Sequence, residues 1–233
     1  MKSTFAMTKN VRRFMAGMEI LRTPIKGKYG LMLAYGPPGC GKTEIGDWYN
    51  SQHSFPYVRA LKTSTHRSIL SDLVGSLKEV PTFRTNTLFE QVLNILDEFS
   101  PPIIIDEVDY LVKSDVIETI RDISDMTNVP IVLMGMENLD GRLRSYRHLY
   151  DRIRAVVKLE LFDEEEIRNL AEQICEVNID DSGIRFIKHH GQGKLRLTVS
   201  WFGQAESIVK HNKGIETVGA EHLQVYLKKE KKK

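Results

Sequence analysis

Cysteine is nearly absent from these 233 residues; Cys40 and Cys175 are the only two. Two distant thiols exclude a disulfide framework and a thiolate metal centre. No stretch is long and apolar enough to span a bilayer. The opening Met1-Lys2-Ser3-Thr4-Phe5-Ala6 lacks the apolar centre of a secretory signal. The expected setting is therefore cytoplasmic, with no membrane partner. Strong charge bias is missing too. The formal net charge is +2, and the segment 228–233, with five lysines and one glutamate, supplies +4 by itself. Overall charge does not mark a nucleic-acid binder.

What is present is more telling. Gly36-Pro37-Pro38-Gly39-Cys40-Gly41-Lys42-Thr43 fits the phosphate-binding pattern G-x-x-x-x-G-K-[ST]. It follows the apolar run Leu31-Met32-Leu33-Ala34-Tyr35 and precedes a helical stretch, the setting that the pattern requires. Glycines let successive backbone N–H groups turn toward phosphate oxygens, where a side chain would block their approach. The helix beginning near Lys42 adds the positive end of its dipole. Lys42 is expected at the β- and γ-phosphates of ATP, and Thr43 at Mg²⁺.

Pro101-Pro102 precedes Ile103-Ile104-Ile105, a short run buried on both faces, which ends in Asp106-Glu107. Such a strand delivers its final residues into the crevice where ligands bind in parallel sheets. Asp106 is placed to hold Mg²⁺ through its water shell, and Glu107 to orient and deprotonate the attacking water. The plainer alternative is a pair of helix-start charges, and Asp109 is read that way. A third strand, Ile131 to Met134, runs into Gly135-Met136-Glu137-Asn138-Leu139. Asn138 is either an amide that senses the γ-phosphate and the lytic water, or a helix N-cap.

Helical spacing of Val11, Phe14, Met15, Met18 and Leu21 predicts an amphipathic helix over Thr8 to Arg22. Further helices are predicted for Thr43–Ser51, from Thr65 or His66 to Lys78, and for Thr87–Phe99 and Asp115–Met126. A second strand is expected at Tyr57–Leu61. Alternating strands and helices give a parallel sheet covered by helices. From Asp163 onward only helices are expected, so residues 1–160 are expected to form an α/β nucleotide domain and 161–233 an all-helical second unit with a basic tail, which the resemblance given next makes a lid.

In this order, the residues resemble the AAA+ ATPases, a branch of the P-loop NTPases, over nearly the whole chain. The resemblance implies ATP hydrolysis in an oligomer. It matches Arg152, in Leu149-Tyr150-Asp151-Arg152-Ile153, to an arginine that reaches the neighbouring subunit's γ-phosphate, with Arg147 as the alternative. Gly193-Lys194-Leu195-Arg196 matches a second sensor, so Arg196 is expected over the phosphates, with Lys194 beside it able to take that part. The N-terminal helix and Met134–Leu139 are similar to the transposition ATPases of the phage Mu protein B type. That similarity implies ATP-dependent helical filaments on double-stranded DNA, little sequence preference, and a transposase partner. A helicase-loader or replication-initiator ATPase is the alternative, followed by a secretion or signalling ATPase that never touches DNA.

Basic residues crowd two segments, Lys9 to Lys28 and Arg142 to Arg154, and such clusters serve as phosphate footprints or as solvated faces. For DNA, Lys62, Thr63, Thr65 and Arg67 alternate hydroxyls with cations after the second strand, and Arg84 and Thr85 are lesser candidates. A polar loop with Thr65 as a helix cap is the plainer reading of that segment.

Overall fold

The computed structural model describes residues 1–2, 4–25, 30–98, 101–212 and 214–230. Lys26, Lys28 and the last three lysines of the tail lie outside them. Two compact units emerge, and they do not follow a single cut in the chain. The larger holds residues 13–36 and 42–159; the smaller holds 1–12, 37–41 and 160–233.

The chain opens with helix α1 (Lys9–Arg22). The sheet of the larger unit contains β1 (Leu31–Gly36), β2 (Tyr57–Arg59), β3 (Ile103–Asp106), β4 (Ile131–Met136) and β5 (Ile153–Lys158). All pairings are parallel, in the order β2-β3-β4-β1-β5. The chain leaves β1 in one direction and later returns to its other side, and in open parallel sheets such a switch marks the carboxyl ends of the strands as the place where ligands bind. Every residue of β3 is buried, as its run of β-branched side chains requires in a sheet covered on both faces. Helices α2 (Lys42–His53), α3 (His66–Ser76), α4 (Thr85–Glu98), α5 (Asp109–Lys113) and α6 (Ile117–Thr127) follow the strands in turn. Short α7 (Leu139–Leu143) and α8 (Arg147–Tyr150) lead into β5. Ile69, Leu73, Leu88, Val92, Ile120 and Leu133 lie in one continuous core.

In α1, Phe14, Met18 and Leu21 are buried as their spacing predicts, while Met15 stays partly exposed. Gly17 has no room for a side chain, since a Cβ there would stand 2.6 Å from Val157 and 2.7 Å from Met32.

The smaller unit contains α9 (Glu164–Ile174), α10 (Asp181–Gly191), α11 (Leu195–His211) and α12 (Ala220–Glu230). Phe162, Ile167, Leu170, Ile187 and Phe202 form its core. The expectation of helices alone needs correction. β6 (Asn178–Ile179) pairs in parallel with β7 (Thr217–Val218). Two-residue strands leave no periodicity to read in sequence. Their footprint is Gly183, where a Cβ would lie 2.7 Å from both Ile179 and the Val218 carbonyl. Acidic caps open two of the helices. Asp163 accepts from the Glu166 N–H at 2.8 Å, and Asp180 from the Gly183 N–H at 2.9 Å.

Candidate nucleotide site

The phosphate loop leaves β1 at Gly36 and enters α2 at Lys42. Gly39 and Gly41 have φ of +88° and +90°, a region that glycine enters without a Cβ penalty. Residues of the smaller unit hold these loop positions. The Gly39 carbonyl accepts from the Leu195 N–H at 2.7 Å. A Cβ on Gly39 would press within 2.9 Å of the Lys194 side chain. Asn10 is 1% exposed, and its Nδ2 donates to the carbonyls of Cys40 at 3.0 Å and Glu160 at 2.7 Å. Its Oδ1 accepts from the Glu160 N–H at 3.1 Å. Sequence reading missed Asn10, because one polar residue inside an amphipathic helix gives no distinguishing signal.

In the larger unit, the buried Lys42 donates from Nζ to the Gly36 carbonyl at 2.8 Å. Thr43 Oγ1 donates to Asp106 Oδ2 at 2.9 Å. Tyr57 Oη donates to the same oxygen, also at 2.9 Å. Burial, and then the charge of Asp106, push the Tyr57 phenol well above its ordinary range, so it remains a protonated donor. Asp106 Oδ1 accepts from the Glu107 N–H at 2.8 Å.

Glu107 adopts φ of +57°, left-handed backbone that costs a non-glycine residue about 1–2 kcal/mol. Strain of this kind concentrates at functional positions. Its carboxylate meets Arg59 Nη2 at 3.5 Å. Residues 57 and 59 share one face of β2 by strand alternation, so this short strand reaches both carboxylates.

Asn138 occupies the N-cap position of α7 but makes no side-chain cap hydrogen bond. The turn that carries it is anchored by Asp109, which does more than begin a helix. Asp109 Oδ2 accepts from the Met136 N–H at 2.6 Å, and Oδ1 pairs with Arg142 at 3.1 Å. A Cβ on Gly135 would fall 2.4 Å from Asp109 Oδ2. The carboxyl ends of β3 and β4 are thus fastened together.

Arg152 stands elsewhere. Its carbonyl accepts from the Leu31 N–H at 2.9 Å, at the start of β1, whereas the phosphate loop leaves the other end. Five strand steps put about 17 Å between those ends. Arg152 therefore does not serve its own chain's Lys42. Its guanidinium grips Asp125, with Nη2 at 2.7 Å from Oδ2, and also donates to the His148 carbonyl. Arg147 is exposed. Arg196 is the exposed second residue of α11, directly after the Leu195 that bonds to the loop.

The candidate DNA segment divides by role. The Thr65 hydroxyl caps α3, forming a reciprocal capping box with Ser68. Arg67 donates to the Phe83 carbonyl and stacks over the Phe83 ring at 5.2 Å. Lys62 and Thr63 are exposed on a turn. Several arginines in the basic clusters are likewise engaged internally: Arg142 by Asp109, Arg144 by Asp140 and Arg152 by Asp125. Lys9 pairs with Asp163 and Glu165.

These residues fit a nucleoside triphosphate with magnesium. Two left-handed glycines shape the loop, Lys42 follows it, and a hydroxyl and a carboxylate already share a hydrogen bond. No cluster of three His, Cys, Asp or Glu that could hold a metal exists among the described residues. A cation here would be held through Thr43, Asp106, water and phosphate oxygens, the arrangement that magnesium prefers. No described helix is long and apolar enough to cross a membrane.

The profile of the family described as AAA domain matches residues 25–143. The replication factor C large subunit of Sulfurisphaera tokodaii is 24% identical over 190 residues, covering 78% of this chain and 40% of its own length. This chain thus spans well under half of that relative. A potential ATP-binding protein of Staphylococcus aureus is 24% identical over 262 residues, covering 93% of each. Among solved structures, the ORC1 protein of Aeropyrum pernix in complex with DNA superimposes with a TM-score of 0.65 at 18% identity, over 94% of this chain and 65% of that one. Nothing in these matches is specific to the transposition ATPases.

Proposed function

The chain belongs to the AAA domain family, and from that premise we propose an ATPase that acts on duplex DNA, its nucleotide state governing assembly of its own copies there. One observation carries the hydrolytic part: Thr43 and Asp106 share a hydrogen bond directly after the phosphate loop, with Glu107 next in sequence. Magnesium, when bound, supplies charge neutralisation on the phosphates. Lys42 contributes a further positive charge, and Thr43 and Asp106 would hold the cation. Glu107 orients a water and takes its proton, Asn138 hydrogen-bonds that water and the terminal phosphate, and Arg196 responds to the phosphate's departure. Arg152 acts on the site of a neighbouring copy, a reading that its distance from its own Lys42 supports.

The DNA part draws on the relatives. One is a replication factor and another is an ORC1 protein solved in complex with DNA. These favour a replication-initiator or loader type of ATPase as the first reading. A transposition regulator is the second, on the resemblance of Met134–Leu139. Lys62 and Thr63 are the exposed candidates for phosphate contacts. Such contacts give binding that weakens steeply with salt and ignores base sequence.

Electron microscopy with duplex DNA, comparing ATP, ADP and no nucleotide, tests the proposal. Ordered assemblies are expected with ATP, and dissociation on adding salt. DNA binding indifferent to both nucleotide and salt would remove the reading. Affinity capture separates its two forms: a replicative helicase ring supports the first, a transposase the second.

A further inference from the structure

Tyr57 has no part in the phosphate-binding pattern, yet it touches the heart of the site. Its ring lies against α2, where a Cβ on Gly46 would come within 2.9 Å of Tyr57 Cε2. Its hydroxyl spans to the end of β3 and reaches Asp106 Oδ2. One side chain therefore ties the helix that carries Lys42 and Thr43 to the carboxylate that faces them.

The consequence lies in the acceptor directions of that carboxylate. An ionised carboxylate offers about four. Thr43 and Tyr57 occupy the two on Oδ2, and the Glu107 N–H occupies one on Oδ1. Oδ1, with one of these donors against two on Oδ2, is the side on which a metal-bound water would approach. Asp106 is 1% exposed, so bulk solvent has little access to replace a lost donor. Without the Tyr57 hydroxyl, only the Thr43 and Glu107 bonds hold the carboxylate about its final bond, and the direction that Oδ1 presents is fixed less firmly.

We propose that Tyr57 is a positioning residue of the cation site: its hydroxyl sets the rotation of the Asp106 carboxylate, and through it the grip of the nucleotide-loaded protein on its divalent metal. The inference rests on the reading of this site as one for a magnesium nucleotide.

Mn²⁺ serves as a paramagnetic probe. The protein is saturated with ADP and titrated with Mn²⁺, and bound metal is read by electron paramagnetic resonance for wild type and Tyr57→Phe. Calorimetry in EDTA measures metal-free ADP affinity in parallel. Phenylalanine keeps the ring against Gly46 and removes only the hydroxyl. Mn²⁺ affinity is expected to fall roughly tenfold, as for other partners that orient a metal's ligands, with metal-free ADP affinity unchanged. Equal Mn²⁺ affinity in the two proteins overturns the assignment. So does an equal loss in both titrations, which would make Tyr57 a packing residue. Wild type that binds no ADP under either condition removes the nucleotide reading itself, a result distinct from equal behaviour of two ADP-binding proteins.

Discussion

Asn10 and Cys40 lie thirty positions apart, yet the amide of one donates to the carbonyl of the other at 3.0 Å. A residue of the first helix thereby grips the middle of the phosphate loop. The same amide holds both backbone groups of Glu160, so one buried side chain fixes three main-chain groups.

Asn10→Ala takes a partner from each of those groups in a buried setting. The expected cost is about 2–3 kcal/mol of stability, from the desolvation of polar groups that lose partners. Metal-free ADP affinity should fall as well, because the loop loses a constraint on its shape. Urea unfolding and calorimetry check both, and a variant with native stability and affinity would show that Asn10 is dispensable.

Glu107→Gln should keep ATP binding and lower turnover by about a hundredfold or more, the usual contribution of a positioned base. Lys42→Ala should lose ATP binding. Arg59→Ala separates a further point, since Arg59 Nη2 stands 3.5 Å from the Glu107 carboxylate. Releasing Glu107 should raise turnover measured without DNA and leave ATP affinity alone. Unchanged basal turnover in Arg59→Ala would show that this contact does not restrain the glutamate.

Arg152→Ala should lower turnover of the assembled protein by roughly a thousandfold, the effect of losing an arginine supplied in trans. Mixing gives the sharper test. Arg152→Ala and Glu107→Gln are each expected to be inactive alone. An equal mixture should recover about a quarter of the sites, where an intact Glu107 meets a neighbour's intact Arg152 across a directional contact. A mixture as inactive as its components rules out the trans assignment.

The caps of the smaller unit predict acid sensitivity. The Glu166 N–H, and then Lys9, hold the Asp163 carboxyl below its ordinary range. The Ser182 hydroxyl does the same for Asp180, followed by the Gly183 N–H. A carboxyl lowered in the folded state stabilises the fold above its unfolded pKa, near 3.9. That stability is lost as pH falls further, because the unfolded chain then binds more protons. Asp163→Asn keeps the cap and removes the titration. Thermal melts between pH 6 and pH 3 should therefore decline less for the variant than for wild type. Parallel declines would show that the cap contributes no pH dependence.

Much of this arrangement was legible in the sequence. The phosphate loop carries its own spacing, and β3 declared itself as three β-branched residues ending in two acids. What escaped was the support around them. Tyr57 and Arg59 read only as part of a strand, because nothing in a three-residue strand says which carboxylate it faces. Asp109 read as a helix-start charge, and its bond to the Met136 N–H depends on the distant strand beside it. Helices α5, α7 and α8 are one turn or little more, too short for apolar periodicity to register. In the two basic clusters, sequence shows the cations and not the Asp109, Asp125 and Asp140 that engage three of them.

Arg152 and Lys42 stand at opposite margins of one sheet, and on the trans assignment this gives any array a direction. Each copy offers a donor face to one neighbour and a receptor face to the other, so the contact is head-to-tail and either closes or continues as a spiral. In an open array, the copy at one terminus holds fuel that no arginine reaches. Short arrays would then burn slowly per copy and long ones faster, with the idle terminus acting as a built-in brake on disassembly.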